Sequence, residues 1–309
     1  MKLEFDFREI AEAWKNQKKD LVKRSTLAAY TLIVETHLLT YFSPTDTFRQ
    51  PAIQEFVNFK INEGLSKKSI KDMLVVLKMI LRYAANLGYE VSPEFKIYFP
   101  KEYENKEISV FSTQEQKILR DYLNTHFSFK NIGILICLNT GMRIGEICAL
   151  KWSDINLKKG IVNVTKTLYR IYERITGDPN TQLVIASPKT QHSFRSIPLS
   201  DSLKSTLQNV RSMTKNEFFV LSNTTEPVEP RTYRNHYKKV LRKLNLPDLT
   251  FHGLRHTFAT RCIESGCDYK TVSAILGHSD ITTTLNLYVH PTQDQKKKCI
   301  EKMLDSLAF

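Results

Sequence analysis

Four short segments bring together guanidinium, ammonium, imidazole and hydroxyl groups, a set suited to holding a phosphate and moving protons around it. In Thr140-Gly-Met-Arg-Ile-Gly-Glu146, Gly141 permits a tight turn after an apolar run, and Arg143 opens the next helix. A guanidinium at a helix N-terminus suits a phosphate. Taken alone, the segment favours the plainer reading of an arginine in a surface salt bridge to Glu146. Ser187-Pro-Lys-Thr-Gln-His-Ser-Phe-Arg-Ser-Ile-Pro-Leu199 places Lys189 at the tip of an expected hairpin. There a lysine can protonate a leaving oxygen, although a solvated turn lysine is the plainer reading.

In Phe251-His-Gly-Leu-Arg-His-Thr-Phe-Ala-Thr260, helical spacing puts His252, Arg255 and His256 on one face. Leu254, Phe258 and Ala259 turn the other way, towards a core. His252 and His256 also form H-x-x-x-H. Zinc is set aside because the glutamate of H-E-x-x-H is absent and Cys262 and Cys267 lack finger spacing. In Leu276-Gly-His-Ser-Asp-Ile-Thr-Thr-Thr-Leu-Asn-Leu-Tyr-Val-His290, Gly277 ends one helix and Ser279 or Asp280 caps the next. His278 then lies at a helix junction, and Tyr288 near the end of a short helix that Pro291 stops. The chain has 13 tyrosines, so a half-buried structural role fits this one as well.

These segments need elements to hold them. Residues 1–90 read as four amphipathic helices: Phe7 to Lys19, Ser25 to Phe42, Ile53 to Ile61, and a fourth that Ser66 caps and Gly88 follows. The fourth carries Ile70, Met73, Leu74, Leu77, Ile80, Leu81 and Ala84 on its inner face. Residues 91–106 hold prolines and many charges with no steady period, which reads as a linker. Ser112-Thr-Gln-Glu115 is a capping box, so a second domain is expected over 107–309. It starts with helices at Glu115 to Leu123, Phe129 to Asn139 and Gly145 to Leu150. Ile161, Val162, Val164 and Leu168 sit near strand spacing. Leu183–Ala186 and Phe194–Leu199 read as the two arms of a hairpin around Ser187–Ser193. Helices return after residue 200. The expected fold is mainly α with a small antiparallel β-sheet.

The net charge of +13 and pI near 9.4 suggest a polyanionic partner. Residues 1–105 carry 16 Lys+Arg against 14 Asp+Glu, and the remainder 29 against 18, so the excess lies with the four segments. The five cysteines are odd in number and form no C-x-x-C pair; no signal peptide and no apolar run long enough for a membrane span is present. A cytoplasmic protein with reduced thiols is expected.

In chain order Arg143, Lys189, His252, Arg255, His278 and Tyr288 form a pattern that resembles the tyrosine site-specific recombinase family of phage and transposon integrases. The resemblance covers residues 107–290. It rests on the T-G-M-R-I-G-E box, the P-K-T turn followed by R-S-I-P-L, the H-G-L-R-H-T-F-A-T box and L-G-H-S-D-I-T-T-T-L-N-L-Y. The N-terminal helices match that family's SAM-like core-binding domain in length and helicity only. The resemblance implies that Tyr288 attacks a DNA phosphate, leaving a 3′-phosphotyrosine and a free 5′-hydroxyl. Free tyrosine has a pKa of about 10 and needs a base, for which His252 is the candidate. Arg143 and Arg255 would clamp the non-bridging oxygens, Lys189 would protonate the 5′ oxygen, His278 would hydrogen-bond the phosphate, and Glu146 would orient the group. No metal, ATP or other cofactor is implied.

The implied partners are double-stranded DNA at specific recombination sites and three further copies of the chain, a homotetramer that passes through a Holliday junction. Accessory DNA-bending or excision factors and nucleoid association on DNA are also implied. Many relatives carry an extra arm-binding domain ahead of the bundle; this sequence has no room for one, so either a simpler two-domain recombinase or a piece of a longer one is expected. Ile300, Met303, Leu304 and Leu307 share a face of a terminal helix that packs on its own domain or docks on a neighbouring subunit. The alternatives are type IB topoisomerase-like DNA relaxation, a non-catalytic DNA-binding accessory protein, and an RNA-binding protein, for which no recognition motif is present.

Overall fold

The computed structural model of the chain describes residues 5–100, 109–175, 178–187, 193–278, 280–285, 297, 300, 301 and 303–305, with backbone alone for 172–175, 178–180, 283 and 284. Two compact units form: residues 1–106 with 170–182, and residues 107–169 with 183–309. The architecture is mainly α with small antiparallel sheets. No helix among the described residues is long and apolar enough to cross a membrane.

The first unit holds α1 (Phe7–Lys19), α2 (Arg24–Ile33), α3 (Gln50–Asn62) and α4 (Lys67–Asn86). Asp6 caps α1 by accepting from the amides of Arg8 and Glu9, and Ser66 caps α4 by accepting from Ser69. All seven residues expected on the inner face of α4 are buried, packed with Phe7, Trp14, Leu38 and Phe56. The helix expected to run through to Phe42 instead changes pitch after Ile33. Val34–Leu38 is a single π-turn, with the Leu39 amide donating to the Val34 carbonyl at 2.8 Å. The Thr36 hydroxyl donates to the Leu32 carbonyl at 2.6 Å where the ladder is displaced.

Residues 91–100 do have a period, and it is two. Phe95, Ile97 and Phe99 pack on the helical core while the residues between them are exposed. Among the described residues no strand pairs with this extended segment. Side chains take the place of a neighbouring strand at one point: Tyr98 exchanges hydrogen bonds with the Gln54 amide, 3.0 Å each way. The ammonium of Lys78 lies over the Phe95 ring at 4.6 Å.

The second unit opens with α5 (Thr113–Thr125), where Ser112 and Glu115 form the expected reciprocal cap. Then follow α6 (Phe129–Thr140), α7 (Ile144–Cys148), β1 (Ile155–Asn156), β2 (Ile161–Val164), β3 (Thr167–Ile175), β4 (Asp178–Ala186) and β5 (Arg195–Pro198). The chain ends in α8 (Asp201–Val210), α9 (Pro230–Lys243), α10 (Phe251–Glu264), α11 (Tyr269–Leu276) and α12 (Thr282–Leu285). Residues 132–138 of α6 are apolar and buried on every side, and they form the middle of the core.

The expected hairpin of Leu183–Ala186 with Phe194–Leu199 does not form. β4 pairs with β3, whereas β5 pairs antiparallel with β2 in a three-stranded sheet of order β1-β2-β5. Only residues 176 and 177 separate β3 from β4, so the preceding strand is the local partner. β5 is drawn to β2 because Ile197 sits opposite Val162 and both are buried in the core.

Among the described residues, α3, α4, α9, α10 and α11 end in the same paired hydrogen bonds. At α11 the His278 amide reaches the Ser273 carbonyl and the Gly277 amide the Ala274 carbonyl, both 3.1 Å, with Gly277 left-handed at φ 66°. Gly145 has a different reason to lack a side chain. A Cβ there would lie 2.7 Å from the Leu168 carbonyl oxygen and 2.6 Å from Thr167 Oγ1. Gly145→Ala therefore forces α7 off β3, and thermal melting should show a loss of about 1–3 kcal/mol; an unchanged melting temperature contradicts the close approach.

Candidate active site

α10 starts at Thr250, whose hydroxyl accepts from the Gly253 amide at 3.1 Å. Phe251 and Leu254 are anchored in the core, and this fixes the azimuth of Arg255. Arg255 is 2% exposed; it donates to the Gly141 carbonyl and to the Leu276 carbonyl, each at 2.7 Å. Gly141 ends α6 in a left-handed conformation, as the sequence requires, and this turns its carbonyl out of the helix.

Two more arginines converge on the same place. Arg143, just ahead of α7, donates to the Gly277 carbonyl at 3.1 Å and to Leu276 at 3.4 Å. Arg195, at the start of β5, donates through Nε to the Ile275 carbonyl at 2.6 Å. The last carbonyls of a helix lack partners within it and sit at the negative end of its dipole. Here they are what draws three guanidinium groups together.

Glu146, 3% exposed, neutralises part of this charge. Its carboxylate accepts from the Arg143 amide at 2.8 Å, from Arg143 Nη1 at 2.9 Å, and from both terminal nitrogens of Arg195 at 3.0 and 2.8 Å. Burial alone would raise its pKa. The hydrogen bonds and charge of Arg195, then the charge of Arg143, outweigh burial and hold Glu146 below the ordinary carboxylate range.

His278 follows the cap of α11 directly. Burial, then the charges of Arg255 and Arg143, push its pKa down to about 4. Burial and then His252 and Arg255 do the same to His256, also to about 4. Both imidazoles are thus neutral near pH 7 and can donate or accept without adding charge. His252 meets His256 edge-on, with ring centroids 4.4 Å apart. Arg143, Glu146, Arg255 and His278 therefore share one site with Arg195, and His252 flanks it on α10. Lys189 and Tyr288 lie outside the described residues.

Residues 110–295 match the phage integrase family, and residues 6–61 match the N-terminal SAM-like domain of phage integrases. The chain belongs to the phage integrase family. The recombinase is 30% identical to a XerC-like tyrosine recombinase of Caldanaerobacter subterraneus, over 93% of this chain and 80% of that protein. It is 29% identical to the tyrosine recombinase XerD of Staphylococcus haemolyticus, over 88% and 87% of the two chains. A transposase from transposon Tn916 of Enterococcus faecalis is 31% identical over 59% of this chain, a match that spans 47% of the transposase. Among solved structures, the Tn1549 transposon integrase in complex with circular intermediate DNA has the same fold, with a TM-score of 0.76 at 23% identity over 95% of this chain and 99% of that one. The family is one of enzymes that transfer DNA strands, and the recombinase is one of them.

Two features of the recombinase are not evident from its sequence. One is Arg195, whose signal is its place in the alternation of β5: Arg195 and Ile197 share the inward face. The other is α9, where Arg231, Arg234, Lys239, Arg242 and Lys243 are exposed opposite buried Tyr233, Tyr237, Val240 and Leu241. This helix shows the amphipathic period of any surface helix, with a polar face that is almost wholly cationic.

Arg195→Ala should be among the more destabilising single changes in the recombinase. It leaves a buried carboxylate short of two hydrogen bonds, a loss of about 3–5 kcal/mol. The sign with pH follows. Glu146 has a depressed pKa in the folded chain, so its stabilisation is present above the unfolded value and fades as pH falls through the folded one. With Arg195 gone, that fading moves to higher pH. Denaturant melts of both proteins from pH 7 to acid check this; parallel curves would contradict it.

Proposed function

We propose that the chain is a site-specific DNA recombinase that cleaves and rejoins DNA through a 3′-phosphotyrosine at Tyr288. The observation that carries the reading is the convergence of Arg143 and Arg255 at the end of α11 beside a neutral His278. In the reaction the Tyr288 oxygen bonds to phosphorus, the 5′ oxygen leaves, and Lys189 supplies its proton. His252 takes the phenolic proton. Arg143 and Arg255 stabilise the charge that builds on the non-bridging oxygens, and His278 donates a hydrogen bond to one of them. Glu146 and Arg195 position the two guanidinium groups rather than touching phosphate. Attack by the free 5′-hydroxyl of a partner strand on the phosphotyrosine reverses the chemistry and joins the strands, with the bond energy conserved.

Double-stranded DNA at specific sites is the proposed substrate, handled by four copies of the chain through a Holliday junction, with accessory bending or excision factors. The structure of a lambda integrase tetramer bound to a Holliday junction is a neighbour in fold, with a TM-score of 0.69 at 19% identity. Ile300, Met303 and Leu304 in the terminal segment are exposed, which favours docking on a neighbouring subunit over packing on their own domain.

The test is a suicide substrate carrying the native flanking DNA, resolved on a denaturing gel. A covalent protein–DNA band whose DNA-bearing peptide contains residue 288 supports the reading. DNA binding without any adduct, on every flank tried, would leave a non-catalytic binding protein. Binding itself should fall steeply with salt. Replacing Arg231 and Arg234 of α9 by glutamine should flatten the log–log salt slope by about 1 for each of the two that neutralises a phosphate; an unchanged slope would remove α9 from the interface.

A further inference from the structure

Cys262 and Cys267 play no part in the chemistry above, and the turn between α10 and α11 brings them together. The Cys267 amide donates to the Cys262 carbonyl at 3.0 Å, and the Gly266 amide to the Ile263 carbonyl at 2.9 Å, with Gly266 left-handed at φ 86°. This cap sets two side chains five residues apart against each other, and they usually form an apolar contact. At α9 the same two positions are Leu241 and Leu246, and at α4 they are Ala84 and Tyr89. At α10 both are thiols. Cys267 is exposed, whereas Cys262 is half-buried against Ala259, Ile263, Val272 and Leu276.

We propose that Cys262 and Cys267 form a reversible dithiol–disulfide site that reacts with low-molecular-weight disulfides. Paired hydrogen bonds across the cap hold the two backbones within disulfide reach. The Cys267 thiolate attacks one sulfur of the small disulfide, releasing a thiolate that takes up the proton. The Cys262 thiolate then attacks the Cys267 sulfur and expels the second small thiol. Two cysteine thiols are oxidised, and one small disulfide is reduced to two thiols. Exposure makes Cys267 the entry point. Burial, then the neighbouring Cys267 thiol, raises the pKa of Cys262 to about 11, which keeps it out of the first step. The other described cysteines, Cys137 and Cys148, are fully buried and held as thiols. The disulfide closes the turn joining α10, which carries His252, Arg255 and His256, to α11, whose last carbonyls hold the arginines.

Trypsin cuts after Arg261 and Lys270, so both cysteines fall in one peptide. The full chain is treated with oxidised glutathione, alkylated, digested without reductant and weighed. The expected product is the 262–270 peptide lighter by two hydrogens and without alkyl groups. It should exceed the glutathione-bearing peptide by about tenfold or more, because the second attack is intramolecular. Dithiothreitol should restore two alkylatable thiols. Cys262→Ser should stop at the glutathione adduct on Cys267, and Cys267→Ser should leave Cys262 alkylated. A wild type that stops at the adduct, stays doubly alkylated, or links Cys267 to another cysteine overturns the proposal.

Discussion

Tyr288→Phe is expected to abolish covalent capture of DNA while leaving non-covalent binding unchanged. The substitution removes one oxygen and keeps the ring, so whatever packing Tyr288 makes is retained. No other change deletes the proposed nucleophile so cleanly. The loss should be on the order of 10³-fold or more, to the background of the assay, since residual electrostatic stabilisation has no attacking group to act with. The measurement is the rate at which a covalent band appears on a suicide substrate, beside a gel-shift titration on the same DNA. A band that persists in the variant would move the nucleophile to another of the 13 tyrosines.

Arg255→Lys is expected to slow cleavage by about 100- to 1,000-fold, the usual effect of losing one electrostatic donor at a developing charge. Charge is conserved in this variant, so steering of DNA is conserved too. What is lost is the fork: one ammonium cannot serve both the Gly141 and Leu276 carbonyls and also face a phosphate. An unsatisfied buried carbonyl costs about 1–3 kcal/mol, so melting temperature should fall as well. The two effects separate in single-turnover cleavage measured well below the melting transition. A variant that cleaves at the wild-type rate there would reduce Arg255 to a structural residue.

Much of this site is legible in the sequence because its spacing is local. The three- and four-residue intervals of His252, Arg255 and His256 need only a helix to share a face, and Thr250 to Phe251 opens one. Arg143 and Glu146 sit three apart, and the salt bridge that competes with the phosphate reading is present at 2.9 Å. The pair is not the surface bridge that the sequence suggests, since Glu146 is buried, and its carboxylate fixes where the Arg143 guanidinium lies. The capping residues Asp6, Ser66, Ser112 and Thr250 act within three residues of themselves.

What stays hidden depends on partners far along the chain. Whether β5 pairs with β4 or β2 is decided by the burial of Ile197 opposite Val162, 35 positions away. The role of Arg195 needs Glu146 and the Ile275 carbonyl, from two other elements. The alternation over residues 91–100 is obscured by prolines and charges. It becomes visible once α3 supplies Gln54 as a substitute for a neighbouring strand.

The carbonyls at the end of α11 make the three arginines one energetic unit. Arg143 and Arg255 share the Leu276 oxygen, Arg143 and Arg195 share Glu146, and Arg195 holds the preceding carbonyl. Substitutions at groups wired in this way do not add, so the cost of losing one arginine depends on whether the other two are in place. Arg143 or Arg195 changed alone also alters how Glu146 holds the one that remains, and the three guanidinium groups behave as a set.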